Sequence, residues 1–206
     1  MKQVTNRRPL ASRQTAWAGT LAKATCRLGL TPNAISLIGI GFAALGAGAM
    51  VLAPDYRWLW LVAALGIQLR LLANMLDGLV AIEGGRKSAT GALYNEFPDR
   101  IEDSLLLVAA GYAAALPELG WAAALLAMAT AYVRSLGGAL GHEQDFCGPM
   151  AKQHRMAVLT LAALASAALP HLPVMAGALA LIAAGSALTA ARRLERLAHV
   201  MKETAR

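Results

Sequence analysis

Six apolar segments recur along the chain with short polar breaks between them: Ala34–Ala53, Trp58–Ala81, Gly91–Ala115, Leu119–Leu140, Met156–Leu169 and Val174–Ala191. About 20 apolar residues, as a helix, cross a hydrocarbon core of roughly 30 Å. A helix also satisfies its own backbone N–H and C=O groups, which lipid cannot do. The pattern therefore predicts an all-α, polytopic membrane protein with six transmembrane helices, the fifth the shortest. Charged residues make up 15% of the chain, against about 25% in a soluble domain. Richness in Ala, Leu and Gly lets neighbouring helices approach closely. Pro54, Pro117, Pro170 and Pro173 punctuate the turns on one side.

The distribution of charge orients these spans. Of the 19 lysines and arginines, 15 fall in residues 1–32, the 82–90 and 141–155 loops, and the tail from Arg192; the opposite loops hold only Arg57. That asymmetry puts both termini on the cytoplasmic side. Residues 1–32 read as a cytoplasmic interfacial amphipathic arm, because no compact apolar run follows their basic residues as in a cleaved leader. Residues 33–191 form the six-helix domain. Residues 192–206 read as a cytoplasmic amphipathic tail, with Leu194, Leu197 and Met201 on one face. Topology and anionic membrane lipids account for the net charge of +7, so no nucleic acid is needed as a partner. Tyr56, Trp58 and Trp60 sit where an outer aromatic belt is expected. Cys26 and Cys147 read as free thiols.

Several charges remain inside or beside the spans: Arg70, Arg100 and Arg134, with Asp77, Glu96, Asp99, Glu102 and Asp103. Each ionised group at a helix centre costs about 2.5–3.5 kcal/mol on insertion scales, which makes the cluster a site hypothesis. Asn74 and Asp77 are spaced i, i+3 and share a helix face, with Arg70 one turn earlier; Asn95, Asp99 and Asp103 step by four along the next span. Oxygen donors from two facing helices suit a hard cation such as Mg²⁺. No His or Cys joins them, which argues against zinc. The plainer reading is that the acids pair with the three arginines and hold the bundle together. Arg134 is a candidate phosphate contact because its position is expensive, its alternative being a salt bridge to Glu102 or Asp103.

The segment from Asn74 to Asp99, N-M-L-D-G-L-V-A-I-E-G-G-R-K-S-A-T-G-A-L-Y-N-E-F-P-D, resembles the signature of the CDP-alcohol phosphotransferases, D-x-x-D-G-x-x-A-R-x(8)-G-x-x-x-D-x-x-x-D. Asp77, Gly78, Ala81, Gly91 and Asp99 fall at their places without a gap. Upstream, L-T-P-N-A-I-S-L-I-G resembles the start of the family's first span, T-P-N followed by Ser or Thr. Three positions depart: Asn74 and Asn95 replace the first and third aspartates, and Ile82 replaces the arginine. The pattern resembles a bacterial branch with both asparagines and an extra acid at Asp103, which restores a third carboxylate. Arg86 or Lys87 would stand in for the missing arginine.

The resemblance implies transfer of a substituted phosphate from a CDP-linked lipid, CDP-diacylglycerol in bacteria, to a small alcohol, with release of CMP. Asn74, Asp77, Asn95, Asp99 and Asp103 would hold Mg²⁺ or Mn²⁺. Asp99 would be the general base. Gly78, Ala81, Arg86, Gly91, Arg134, Lys152 and Arg155 would line the nucleotide and phosphate positions. Glycerol phosphate, an inositol phosphate or another small polyol would each fit as acceptor. The resemblance further implies a homodimer in the bacterial inner membrane with a cytoplasmic active site. Two other readings are an ion- or proton-coupled transporter, which would spread polar residues through the membrane depth, and a catalytically inactive scaffold, motivated by the asparagines.

Overall fold

The computed structural model describes residues 15–83 and 90–204, with the side chains at 82, 83, 92 and 95 outside that set. The regular structure among the described residues is helical: α1 (Ala16–Arg27), α2 (Pro32–Leu52), α3 (Leu59–Glu83), α4 (Gly91–Ala113), α5 (Pro117–Ala139), α6 (Lys152–Ala168) and α7 (Val174–Thr204). Local chemistry sets the boundaries. Thr31 is extended, and its hydroxyl accepts the Ala34 N–H at 3.2 Å while Pro32 occupies the first turn of α2, an N-cap followed by a proline pre-set for a helix start. α5 likewise opens on Pro117. Between α4 and α5 the chain reverses through Ala115 at φ 56°.

Helix α2 lies against α3 and α4; α5 packs on α4 and α7; α6 bridges α3 and α7; α1 rests on α3. Two crossings depend on glycine. A Cβ on Gly66 would come within 2.7 Å of Gly46 Cα, and one on Gly111 within 2.7 Å of Gly120 Cα. Backbones this close are the means by which membrane helices gain contact where no hydrophobic drive separates protein from lipid. Gly111→Ala is accordingly expected to destabilise the bundle by about 1–3 kcal/mol, seen as a lower thermal midpoint in detergent. An unchanged midpoint would mean that α4 and α5 do not meet there.

Helices α2, α3 (to Ala81), α5 and α7 are long and apolar enough to cross a membrane. Leu45, Leu61, Leu125, Leu161 and Leu181 point outward from the bundle, as lipid-facing side chains do. These features fit a membrane protein. Helix α6 has 17 residues, and α4 carries the acidic cluster together with Pro98, which has no N–H to return to the preceding turn.

Three expectations change. Helix α7 runs unbroken to Thr204, so the tail from residue 192 continues the last helix and begins no new one. Trp60 is buried in the core, leaving Tyr56 and Trp58 exposed. Arg57 donates to the Ala167 and Ala168 carbonyls at 2.5 and 3.1 Å, capping the end of α6, where carbonyls lack helical partners. Helix α6 also begins at Lys152, four residues before the predicted span. Lys152 and Arg155 therefore stand on its first turn.

Candidate active site

Arg70, Asn74 and Asp77 follow one face of α3, and that face meets Asp99, Glu102 and Asp103 of α4. Arg70 is fully buried. Its Nε donates to Glu102 Oε2 and its Nη2 to Asp103 Oδ1, both at 2.5 Å. Arg155 reaches the same acid from α6, Nη2 to Asp103 Oδ2 at 2.7 Å, and Nη1 to the Met150 carbonyl at 3.0 Å. Four charged groups removed from water hold only because each faces an opposite charge.

Above this floor the site opens. Asn74 Nδ2 donates to Asp99 Oδ1 at 2.5 Å and to Glu102 Oε2 at 2.9 Å. Lys152 Nζ also donates to Asp99 Oδ1, and Arg100 Nη2 lies 3.5 Å from Oδ2. Asp77 Oδ2 accepts the Ser36 hydroxyl at 2.8 Å. Asp99 and Lys152 keep 13% and 22% of their side-chain surface exposed, whereas Asp103 and Arg155 keep 4% and 1%. A ligand coming from solvent meets the first pair.

The 140–151 loop delivers Lys152, and it is pinned. Arg193 Nε donates to the Cys147 carbonyl at 2.9 Å and Nη1 to the Thr130 carbonyl at 2.8 Å. The Met150 N–H reaches Thr189 Oγ1 at 3.0 Å. Gly148 sits at φ +112°, with Thr189 Cγ2 2.5 Å from where a Cβ would be; only glycine fits there. Burial alone would raise the Asp145 carboxyl, but hydrogen bonds from Cys147 and the charges of Arg196 and Arg193 hold it below the ordinary carboxylate range. Burial and Asp145 push the Cys147 thiol up.

The predicted residues divide. Asn74, Asp99 and Lys152 come together at the open site, and Asp77, one turn from Asn74 on the same face of α3, is buried against Ser36. Asp103 and Arg155 do not line it; they bind each other beneath, because both Asp103 oxygens are taken by guanidinium groups. Gly78 is buried on α3, with Ala81 one turn on and Gly91 at the start of α4, both half-buried. Arg134 pairs with Glu96, not with Glu102 or Asp103, and its guanidinium stacks 5.4 Å over the Phe146 ring. Arg86 and Lys87, and the side chain of Asn95, lie outside the described residues. Glu102 stands in the charged cluster expected from the sequence but not among its candidate ligands; Ser36 was not singled out, its signal being the hydroxyl residue after T-P-N.

Among the described residues no three Asp, Glu, His or Cys side chains surround one point as metal ligands. The oxygen donors of α3 and α4 still fit a hard divalent cation. They are carboxylate and amide oxygens from two helices, and Glu102 Oε1 is buried with no hydrogen-bond partner.

No family model matches the sequence. The architecture is nonetheless that of a known class of helical protein. It superposes on the crystal structure of Mycobacterium tuberculosis phosphatidylinositol phosphate synthase with CDP-DAG bound, with a TM-score of 0.75 at 22% identity over 89% of this chain and 94% of that one. The same synthase in complex with manganese and citrate gives a TM-score of 0.74 at 23% identity over 87% and 88%. The chain thus has the fold of these synthases. In sequence it is 37% identical over 83 residues to phosphatidylinositol phosphate synthase of Mycolicibacterium smegmatis, and 39% identical over 83 residues to that of Mycobacterium marinum. Those matches span 40% of this chain but only 36% and 34% of the two relatives, about a third of their length.

Proposed function

We propose that this chain is a CDP-alcohol phosphotransferase, moving a substituted phosphate from a CDP-linked lipid to a small alcohol and releasing CMP. The observation that carries it is the face of α3 holding Asn74 and Asp77 turned to α4, with Asn74 bonded to Asp99 and Lys152 on the same Asp99 oxygen, beside a buried ionic cluster. The fold shared with synthases described with CDP-DAG and with manganese supports it.

In this reading Asp77 and Asp99, with the Asn74 amide oxygen and Asn95, hold a divalent cation, Mg²⁺ or Mn²⁺. When bound, that cation neutralises charge on the donor pyrophosphate and the leaving CMP. Asp99 takes the proton of the acceptor hydroxyl as its oxygen bonds to phosphorus and the pyrophosphate P–O bond breaks. Asn74 orients Asp99 through its amide N–H. Lys152 can move from Asp99 to a substrate phosphate, and Arg100 and Arg134 add positive charge at the rim. Gly78 gives the nucleotide a surface without a Cβ. The relatives' name points to a phosphorylated polyol such as an inositol phosphate as acceptor, and the basic rim suits it.

An apolar groove of about 690 Å³ between α2, α4 and α5 is lined by Ala47, Arg100, Leu105, Tyr112 and Trp121 among others. It suits an acyl chain whose headgroup reaches the neighbouring Asp99. All six helices from α2 to α7 then cross the bilayer, because the α4 acids are met by Arg70 of α3 and by Lys152 and Arg155 of α6 and α6 is extended by its capped end. The N-terminal arm, expected over 1–32 and described from residue 15, would lie along the cytoplasmic surface, 33–191 form the catalytic domain, and the helix from 192 projects into the cytoplasm. The protein works in the bacterial inner membrane as a homodimer. Purified protein with CDP-diacylglycerol and an acceptor panel is expected to release CMP only when Mg²⁺ or Mn²⁺ is added. No release across the panel would overturn this reading.

A further inference from the structure

We infer that Glu102 is an acidic oxygen donor of the cation site, supplying the carboxylate that the signature places at position 74 and that Asn74 lacks. This rests on the cation-dependent transfer proposed above. Three observations carry it. Glu102 is fully buried, and its Oε2 lies 2.9 Å from Asn74 Nδ2, so a carboxylate already sits against the substituted side chain. Its other oxygen, Oε1, has no hydrogen-bond partner; a buried anionic oxygen without a donor needs a reason. That oxygen is housed by a missing side chain. A Cβ on Gly39 of α2 would lie 2.7 Å from Glu102 Oε1 and 3.3 Å from Asn74 Oδ1. Two acceptor oxygens thus converge over bare backbone, an arrangement that a cation satisfies and another acceptor does not.

Asp103, the acid that the sequence offers for this part, is excluded by the same geometry, since Arg70 and Arg155 take both its oxygens. Asn74 and Glu102 also make chemical sense as a pair. The amide N–H₂ of Asn74 bridges the carboxylates of Asp99 and Glu102. An aspartate at 74 would set three anions against one another whenever no cation was bound. Placing one negative charge at 102 and a neutral donor at 74 makes up the charge lost at 74 while letting the empty site hold together, with Arg70 steadying Glu102 from below.

Mn²⁺ binding to the purified protein in detergent, followed by the EPR signal of free Mn²⁺ without substrates, tests this apart from turnover. Glu102→Gln is expected to weaken Mn²⁺ binding by about 10–100-fold, the range for a group acting at a metal centre. Returning the charge in Asn74→Asp/Glu102→Gln is expected to restore it. A merely structural Glu102 would not be rescued that way. Should Glu102→Gln fail to fold, Glu102→Asp carries the test: it keeps the charge facing Arg70 but withdraws the carboxylate from Gly39, and binding weakens. Unchanged affinity in either single variant, or no rescue in the double, overturns the inference while leaving the proposed function standing, provided Asp77→Asn abolishes binding. If the wild type binds no Mn²⁺, or Asp77→Asn binds as well as it does, the cation reading falls and this inference falls with it.

Discussion

Asp99→Asn is expected to lower CMP release by about 10²–10⁴-fold, the usual contribution of a positioned general base. The replacement has the same shape and can still accept from Asn74 and Lys152 through its amide oxygen, so the bundle stays folded. What it loses is a basic oxygen to receive the acceptor's proton, and a charge to hold the cation. The acceptor's KM is expected to move much less than kcat, because the open rim that meets its phosphate is built from Lys152, Arg100 and Arg134. Steady-state CMP release at saturating CDP-diacylglycerol reads this directly. Turnover within a few-fold of wild type would remove Asp99 from the chemistry.

The second large effect is on stability. Arg70→Met is expected to cost about 3–5 kcal/mol, the penalty for leaving a buried charge without its partner, a large share of a typical domain's total of about 5–15 kcal/mol. Arg70 is completely enclosed and faces Glu102 and Asp103 at 2.5 Å each. Asp103 keeps Arg155, so most of the damage falls on Glu102. Arg70→Met/Glu102→Gln is therefore expected to recover much of the loss, and the two changes are expected to be strongly non-additive. Thermal unfolding in detergent measures both. Equal destabilisation in the single and double variants would mean that charge pairing is not what Arg70 provides.

Much of the fold was legible because lipid imposes a simple code. A run of Ala, Leu and Gly near 20 residues long has few alternatives to a helix, and all six segments are helical. Errors fell where the code is silent. Nothing in the tail from Arg192 marks a break, so α7 simply continues. Trp60 was read from its place at a span end, but helix phase turns it inward while Trp58 faces out. For the candidate site, the i, i+3 spacing puts Asn74 and Asp77 on one face of α3, and Asn74 meets Asp99 of α4. Which acid meets which base was not readable. Asp103 and Glu102 are adjacent in sequence, yet one is locked between two arginines and the other keeps an unpartnered oxygen. That difference arises from α6 and α2, whose register against α4 no local pattern announces. Arg134 found Glu96 for the same reason.

Central to the proposed function is one ion shared by Asp77 and Asp99 between α3 and α4. Anomalous scattering from crystals grown with Mn²⁺ and CDP-diacylglycerol locates that ion directly. The expected result is a manganese peak within coordination distance of both carboxylates, at the opening beside Lys152. Manganese bound elsewhere, with Asp77 and Asp99 turned into separate surroundings, would contradict it.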